Sequence, residues 1–447
     1  MKRSGRFFIA LSTIAILSAC NNSDANPGTG SEGKAKEIVK SVQEPAEIVI
    51  YTMAGDTEDY FNQRFGDQVR RKFPNYTIKY MTDTAGNNDE KLTRLATTGT
   101  HVDLVFASTG WLEKQLFQYG YAYDMTELAK KNKVDLSRFN PSYSDILGKS
   151  FGGGIYYFPV QADVPLLYYN KTLFDKFGVP YPKDGMTWDD LYAVSRRLTR
   201  NEGGVQYSGY IPSLNYLFRA NPLSIPMLKP GTTTPTINTD DRWKTFFQKY
   251  IADAANTVEP AYFKGRNDIN EFLTAGTSAM GTLVGANMIS SRAQLEPMNF
   301  DLVSLPTWKE LPGTGPQPIT TGMAVTKMAK NKDAAMEVLN YIVSNEVQSE
   351  LAKKGIAPVV KNVEVQKLLG TENFFKSKNW GAVYYNKWAT FTYNGAMAVD
   401  LNTIYANGGN SVLLGTADMN TALRKAEEEA LKKVEELKKL IVVDNAY

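Results

Sequence analysis

An α/β fold is what this sequence predicts, and three observations carry the expectation. β-prone runs alternate with amphipathic helical stretches from residue 46 onward, the length of 447 residues is enough for two to three domains, and 43% hydrophobic against 22% charged residues suits a large buried core. The same composition excludes a disordered chain, a collagen-like chain and a bundle of membrane spans.

The elements follow in order. Residues 1–19 run from a basic segment (Lys2, Arg3, Arg6) through the apolar stretch Phe7 to Leu17 and on to Ser18-Ala19, the layout of a secretory signal. Its apolar run of about 11 residues is well short of the roughly 20 needed to span a bilayer as a helix. Residues 20–45 follow, beginning at Cys20 and rich in Asn, Ser, Gly, Glu and Lys without hydrophobic period, as in a flexible tether. Glu47 to Tyr51 then reads as a strand. Phe61, Phe65, Val69 and Phe73 recur every four residues until Pro74, which predicts an amphipathic helix with a proline stop. Tyr76 to Met81 and Val102 to Phe106 supply two further strands, with a polar helix over Asp89 to Thr97 between them. Such alternation predicts a parallel sheet covered by helices. Asp333 to Lys354 places Met336, Leu339, Ile342, Val343, Val347 and Leu351 on one face and stops at Gly355. A last helix, about Thr416 to Val442, repeats the device with Leu423, Ala426, Ala430, Val434 and Leu437, leaving Glu427 to Glu429 and Lys432-Lys433 as a solvated face.

Charge and rare residues narrow the chemistry. The 50 Lys and Arg against 47 Asp and Glu give +3, and removing the three basic residues of the leader leaves zero, so there is no electrostatic case for nucleic acid. One cysteine and one histidine exclude internal disulfides and Cys/His zinc clusters, and no cofactor is expected. A nucleophilic triad would have to use His101, which reads as a loop or core residue beside a strand. The nearest approach to a nucleophile elbow is Gly276-Thr277-Ser278-Ala279-Met280. Gly148-Lys149-Ser150 has the ending of a phosphate loop, but Tyr143 stands where the first glycine belongs, and Gly152-Gly153-Gly154 is followed by Tyr157 where a dinucleotide fingerprint needs glycine. Paired carboxylates remain open, since a glycosidase needs only two acids.

The most specific segment runs from Tyr157-Phe158-Pro159-Val160 through Asp163-Val164-Pro165 to Tyr169-Asn170-Lys171-Thr172-Leu173-Phe174, and on to Thr187-Trp188-Asp189-Asp190-Leu191. It resembles the extracellular solute-binding proteins of ABC importers, the family that includes maltose-binding protein. Val102 to Ala107, Phe272 to Met280, Phe300 to Pro306 and Ile319 to Val325 agree in order; one departure is Val102, where the family usually has proline. The resemblance implies a two-lobe, periplasmic-binding-protein-like α/β fold with hinge strands and a ligand cleft between the lobes. Residues 46–160 plus 320–372 would form the N-terminal lobe and residues 161–319 plus 373–447 the C-terminal lobe. Leu17-Ser18-Ala19-Cys20 resembles the lipobox of bacterial lipoproteins, which implies acylation of Cys20 and attachment to the outer face of the cell membrane. That face would be a Gram-positive surface, or the periplasm if an outer membrane is present. The implied partners are a small carbohydrate and the transmembrane permease subunits, with the protein itself a monomer and no enzyme.

Candidate ligand contacts follow from the same resemblance. They are Asp56 and Thr57 after the first strand, Trp111 after the third, Asp163, Asn215 and Tyr216 in a polar-aromatic loop, Asn287, and Trp388 and Tyr393 in an aromatic stretch. These types suit a neutral sugar, whose hydroxyls need polar side chains and whose C–H faces need aromatic rings. Asp163, on a strand passing between the lobes with Val160 and Leu167, would sit at the mouth of the cleft. Asp56 and Thr57 have a second reading as caps of the helix that begins there, and Trp111 a second reading as core. Thr187 with Asp190 resembles a capping box, under which Trp188 would pack, and Trp243, Trp308 and Trp380 read as structural. The alternative from another class is a secreted, lipid-anchored glycosidase using two carboxylates.

Overall fold

The structure, a computed structural model, describes residues 44–441 apart from 55, 144–146, 148–150, 258–262, 267, 373 and 393–394. The expected leader, Cys20 and most of the tether lie outside the described residues.

β1 (Ala46–Thr52) is buried from Ile48 onward, as suits a β-branched run lying between two neighbouring strands. β2 (Tyr76–Thr82) runs parallel to it, in register from Ala46 opposite Tyr76 to Thr52 opposite Thr82. Between them Phe61, Phe65 and Val69 turn inward from a helical stretch that passes through a π-helical segment at Asn62–Gly66 and ends before Pro74. An Asn87–Glu90 capping box opens the helix Asn88–Thr97, which leads to β3 (Leu104–Ser108), parallel to β1. His101, in the loop before it, contacts Asp103 at 2.9 Å. β4 (Phe158–Asp163) then ends the first pass through this sheet.

β5 (Leu166–Asn170), β6 (Arg200–Glu202), β7 (Val205–Tyr210), β8 (Ser278–Leu283) and β9 (Phe300–Ser304) form a second sheet in the order β6-β7-β8-β5-β9. β10 (Thr314–Gly315) precedes β11 (Ile319–Val325), which returns to the first sheet, completing the order β2-β1-β3-β11-β4. β12 (Lys387–Trp388) pairs with β10.

Two expectations about strands are corrected here. The first sheet is mixed, because β11 is antiparallel to both β3 and β4. Its direction follows from connectivity: β4 leaves the sheet at Asp163, and β11 re-enters beside it at Ile319, so the two must run oppositely. The crossing expected as one strand is two, β4 in the first sheet and β5 in the second. Between them lies Pro165, which has no N–H to donate to a ladder.

Two helices are also shorter than their periodicity predicts. The stretch from Asp333 divides into Lys332–Ile342 and Asn345–Lys353, because Ser344 takes an extended conformation and its hydroxyl accepts from the Val347 amide. The apolar face is nonetheless buried throughout, and Gly355 closes it with φ of +83°. The last helix spans Met419–Leu437, starting where Asp418 accepts from the Thr421 amide. Its buried line from Leu423 to Leu437 packs on the helix Ala398–Leu413, where Gly408 permits close approach to Ala426.

Thr187 and Asp190 do form a reciprocal capping box, and Trp188 beneath it is 1% exposed and edge-on to Tyr250 at 4.5 Å. Trp243, Trp308 and Trp380 are buried as well. The helix Trp188–Leu198 lies so close to β7 that a Cβ on Gly209 would fall 2.2 Å from Ser195 Cα. Because that neighbour is backbone, Gly209→Ala should lower stability by about 3 kcal/mol, read as a drop in chemical-denaturation midpoint. An unchanged midpoint would mean that helix and strand separate freely.

Candidate functional site

β3 ends at Ser108, and the helix Thr109–Phe117 starts there, so its first turn stands at the carboxyl edge of the first sheet. In α/β sheets this edge is where ligand crevices form. Thr109 is fixed by donating its hydroxyl to the Thr320 carbonyl on β11 at 2.7 Å. Facing this edge are the helices Leu214–Arg219 and Ala398–Leu413 and the segment carrying Phe391 and Thr392. Together they line a cavity that opens to solvent.

The wall divides by chemistry. Trp111 and Phe391 offer ring faces, and Thr109, Thr320, Thr392 and Asn402 offer polar atoms. Trp111 is half-buried and also borders an open dish formed with Asn87, Asn88, Glu90 and Thr93, so its ring separates the cavity from bulk solvent. Lys114 Nζ lies 5.3 Å from that ring's centre.

Two wall residues ionise, Glu113 and Arg219. Glu113 is buried, and burial pushes its carboxyl up to about 8 against the weaker pull of the Tyr157 hydroxyl, which donates to it at 2.6 Å, and of the Arg219 charge. Arg219 is half-buried; burial works against its charge, while Tyr216, Asp163 and Glu113 favour it.

A second polar node lies beside the cavity. Asp163 is buried at the end of β4 and accepts from Gln161 Nε2 at 3.0 Å, the Ala286 amide at 3.2 Å and the Thr321 hydroxyl at 3.3 Å. Burial raises its pKa, opposed by those hydrogen bonds and by Arg64. Arg64 in turn meets Asp56 at 2.6 Å, stacks on Tyr60 at 3.9 Å and reaches Gln161 at 3.4 Å. Tyr60 donates its hydroxyl to the Ala286 carbonyl at 3.3 Å. Both polar groups of residue 286, which follows β8, are therefore held by side chains, the amide by Asp163 of β4 and the carbonyl by Tyr60 of the helix Glu58–Phe61.

The sequence candidates divide accordingly. Trp111 lines the cavity. Asp163 is buried in the adjoining node and is not among the residues that line this cavity; Gln161, Thr321 and the Ala286 amide donate to its carboxylate. Asp56 joins this node through Arg64, and Thr57 is exposed and caps the helix Glu58–Phe61 by accepting from the Tyr60 amide. Asn215 and Tyr216 were expected in a loop but lie on the helix Leu214–Arg219. The carbonyl oxygen of the Asn215 side chain accepts from Asn402 Nδ2 at 2.9 Å, and Asn215 lines a separate recess. Asn287 opens a short helix and accepts from the Val284 amide. Trp388 donates its ring N–H to the Val383 carbonyl at 2.9 Å and stacks on Tyr384, away from the cavity. Tyr393 lies outside the described residues.

Glu113, Arg219 and Asn402 were not foreseen. Arg219 had a usable signal, since it falls three residues after Tyr216 and so shares its helix face; reading that segment as a loop hid it. Glu113 and Asn402 carry no signal of their own, being ordinary polar residues in helical stretches.

No described helix is long and apolar enough to cross a membrane. Residues 54–349 match the family model described as bacterial extracellular solute-binding protein. A binding protein of Brucella abortus is 23% identical over 283 residues, 61% of this chain, and the chain spans 66% of that relative's length. Among solved structures, an ABC substrate-binding protein of Listeria monocytogenes in complex with cycloalternan superposes with a TM-score of 0.69 at 18% identity, covering 88% of this chain and all of the other. The sugar-binding protein MalE of Xanthomonas citri gives 0.65 at 15% identity, over 88% and 98%. These likenesses establish the two-lobe architecture of such proteins for this chain. With two thirds of its length matched by the family model, the chain belongs to the bacterial extracellular solute-binding proteins.

Proposed function

We propose that this protein captures a sugar or oligosaccharide between its lobes and delivers it unaltered to the transmembrane subunits of an ABC importer. The observation that carries this reading is the interlobe cavity, where Trp111 and Phe391 supply faces for sugar C–H surfaces and Thr109, Thr392 and Asn402 supply hydroxyl partners. A ligand touching both lobes favours the closed arrangement by its differential affinity for it. Similar structures bearing sugars support the ligand class. Glycoside hydrolysis uses two carboxyls, and the described wall carries one, Glu113.

The reading extends to the chain's ends and lobes. Cys20 is the site of lipid attachment, holding a monomer at the outer face of the membrane near its permease. The lobes comprise residues 46–160 with 320–372 and residues 161–319 with 373–447. Asp56 and Asp163 belong to the node that closure organises, Asn287 follows Ala286 beside it, and Trp111 touches the guest.

The test is a thermal-shift and calorimetric screen of the purified protein with an oligosaccharide panel, followed by chromatography of the recovered ligand. A rise in melting temperature with intact ligand is expected; released product would instead make the protein an enzyme. Trp111→Ala should weaken the best ligand by about 10- to 100-fold, measured by calorimetry. Unchanged affinity would place the guest elsewhere.

A further inference from the structure

Arg219 ends its helix and lines the cavity, and among the described residues no hydrogen bond or ion pair ends on its guanidinium. The nearby acids are engaged otherwise. Asp56 pairs with Arg64, Asp400 with Lys114 at 2.9 Å, and Asp163 is held by Gln161, Thr321 and the Ala286 amide. Glu113, the other ionisable group on the wall, is held protonated at neutral pH by burial and so does not neutralise the arginine. Asp163 and Tyr216 favour this charge from a distance, but among the described residues no side chain pairs with it directly, and its setting is partly desolvated. A wholly neutral guest would cover that charge and leave it without a partner, which is costly. A carboxylate matches the planar guanidinium fork with two parallel hydrogen bonds, and the protonated Glu113 beside it adds a donor rather than a repelling charge.

We infer that the guest is an acidic saccharide, one of whose sugar rings carries a carboxylate that pairs with Arg219 while Trp111 and Phe391 cover the ring faces. This deepens the proposed function and rests on it. The experiment compares matched ligands by calorimetry: trisaccharides of galacturonic or glucuronic acid, their carboxyl-reduced counterparts, and a sulfated glucose trisaccharide. Wild-type protein should prefer one of the uronates over its reduced counterpart by about 10- to 100-fold. In Arg219→Gln that ratio should fall toward one, and in Arg219→Lys it should be intermediate, with melting curves confirming that both variants fold. Equal or tighter binding of the reduced ligands would overturn the acidic guest and leave the sugar-binding reading standing. Preference for the sulfated ligand would overturn the carboxylate, and no binding by any saccharide would overturn both readings.

Discussion

Between pH 4.5 and about 8 the wild-type protein should lose stability through Glu113 by about 1.4 kcal/mol per pH unit, and Glu113→Gln should remove that component of the slope. The sign follows from where the proton sits. In the unfolded chain this carboxyl ionises at the ordinary glutamate value of 4.5, whereas in the folded protein burial holds it neutral up to about 8. Below 4.5 both states are protonated and the group contributes its full stabilisation. Above that, ionisation favours the unfolded chain increasingly, until the folded carboxyl also ionises and the loss levels off at about 4–5 kcal/mol. Glutamine keeps an oxygen that accepts from the Tyr157 hydroxyl, so the variant preserves the local hydrogen bond and removes only the titration. Wild type and variant should be nearly equal at pH 4.5, and the variant should be clearly more stable at pH 9. Denaturation curves across that range check this, and parallel pH profiles would show that Glu113 ionises freely in the folded protein.

Lys114→Met should open the lobes. Lys114, 4% exposed on the helix Thr109–Phe117, pairs with Asp89 at 2.7 Å and with Asp400 at 2.9 Å on the helix Ala398–Leu413, which the proposed boundaries put in the other lobe. One turn on, Gln118 donates to the Ala396 carbonyl at 2.9 Å, so a single helix face ties the lobes along one side of the cavity. Removing the lysine leaves Asp400, 10% exposed, with an uncompensated charge. Breaking one side of such a buried pair costs about 3–5 kcal/mol, and much of that is recovered if separation of the lobes lets water reach the carboxylate. A difference of this size is enough to invert a two-state population. Small-angle scattering of the ligand-free variant should show a larger radius of gyration, with weaker ligand binding. The double variant Lys114→Met with Asp400→Leu should restore the compact form, because an apolar pair needs no partner charge. Identical scattering from all three proteins would sink the idea that this ion pair holds the lobes.

Much of the fold was legible because burial imposes periodicity. Phe61, Phe65 and Val69 had to share a helix face, and Ile48 to Tyr51 had to be a strand, whatever surrounded them. Thr187 and Asp190 announced their capping box because it involves only neighbours in the chain. The misses are non-local. The antiparallel return of β11 depends on where the chain re-enters the sheet, and the break at Ser344 sits inside an unbroken apolar pattern. Among the candidate residues, the structure puts Trp111 on the cavity wall, whereas Asp163, expected at the cleft mouth, is buried among its hydrogen-bond donors.

The sequence alone determined the alternating elements, their buried faces and the absence of charge for a nucleic-acid partner, because propensity, period and net charge belong to the chain itself. Which polar residues meet was decided only by the tertiary structure. Glu113 and Arg219 are 106 positions apart, and the protonation of one and the unpaired charge of the other arise from the shared low-dielectric wall on which folding sets them.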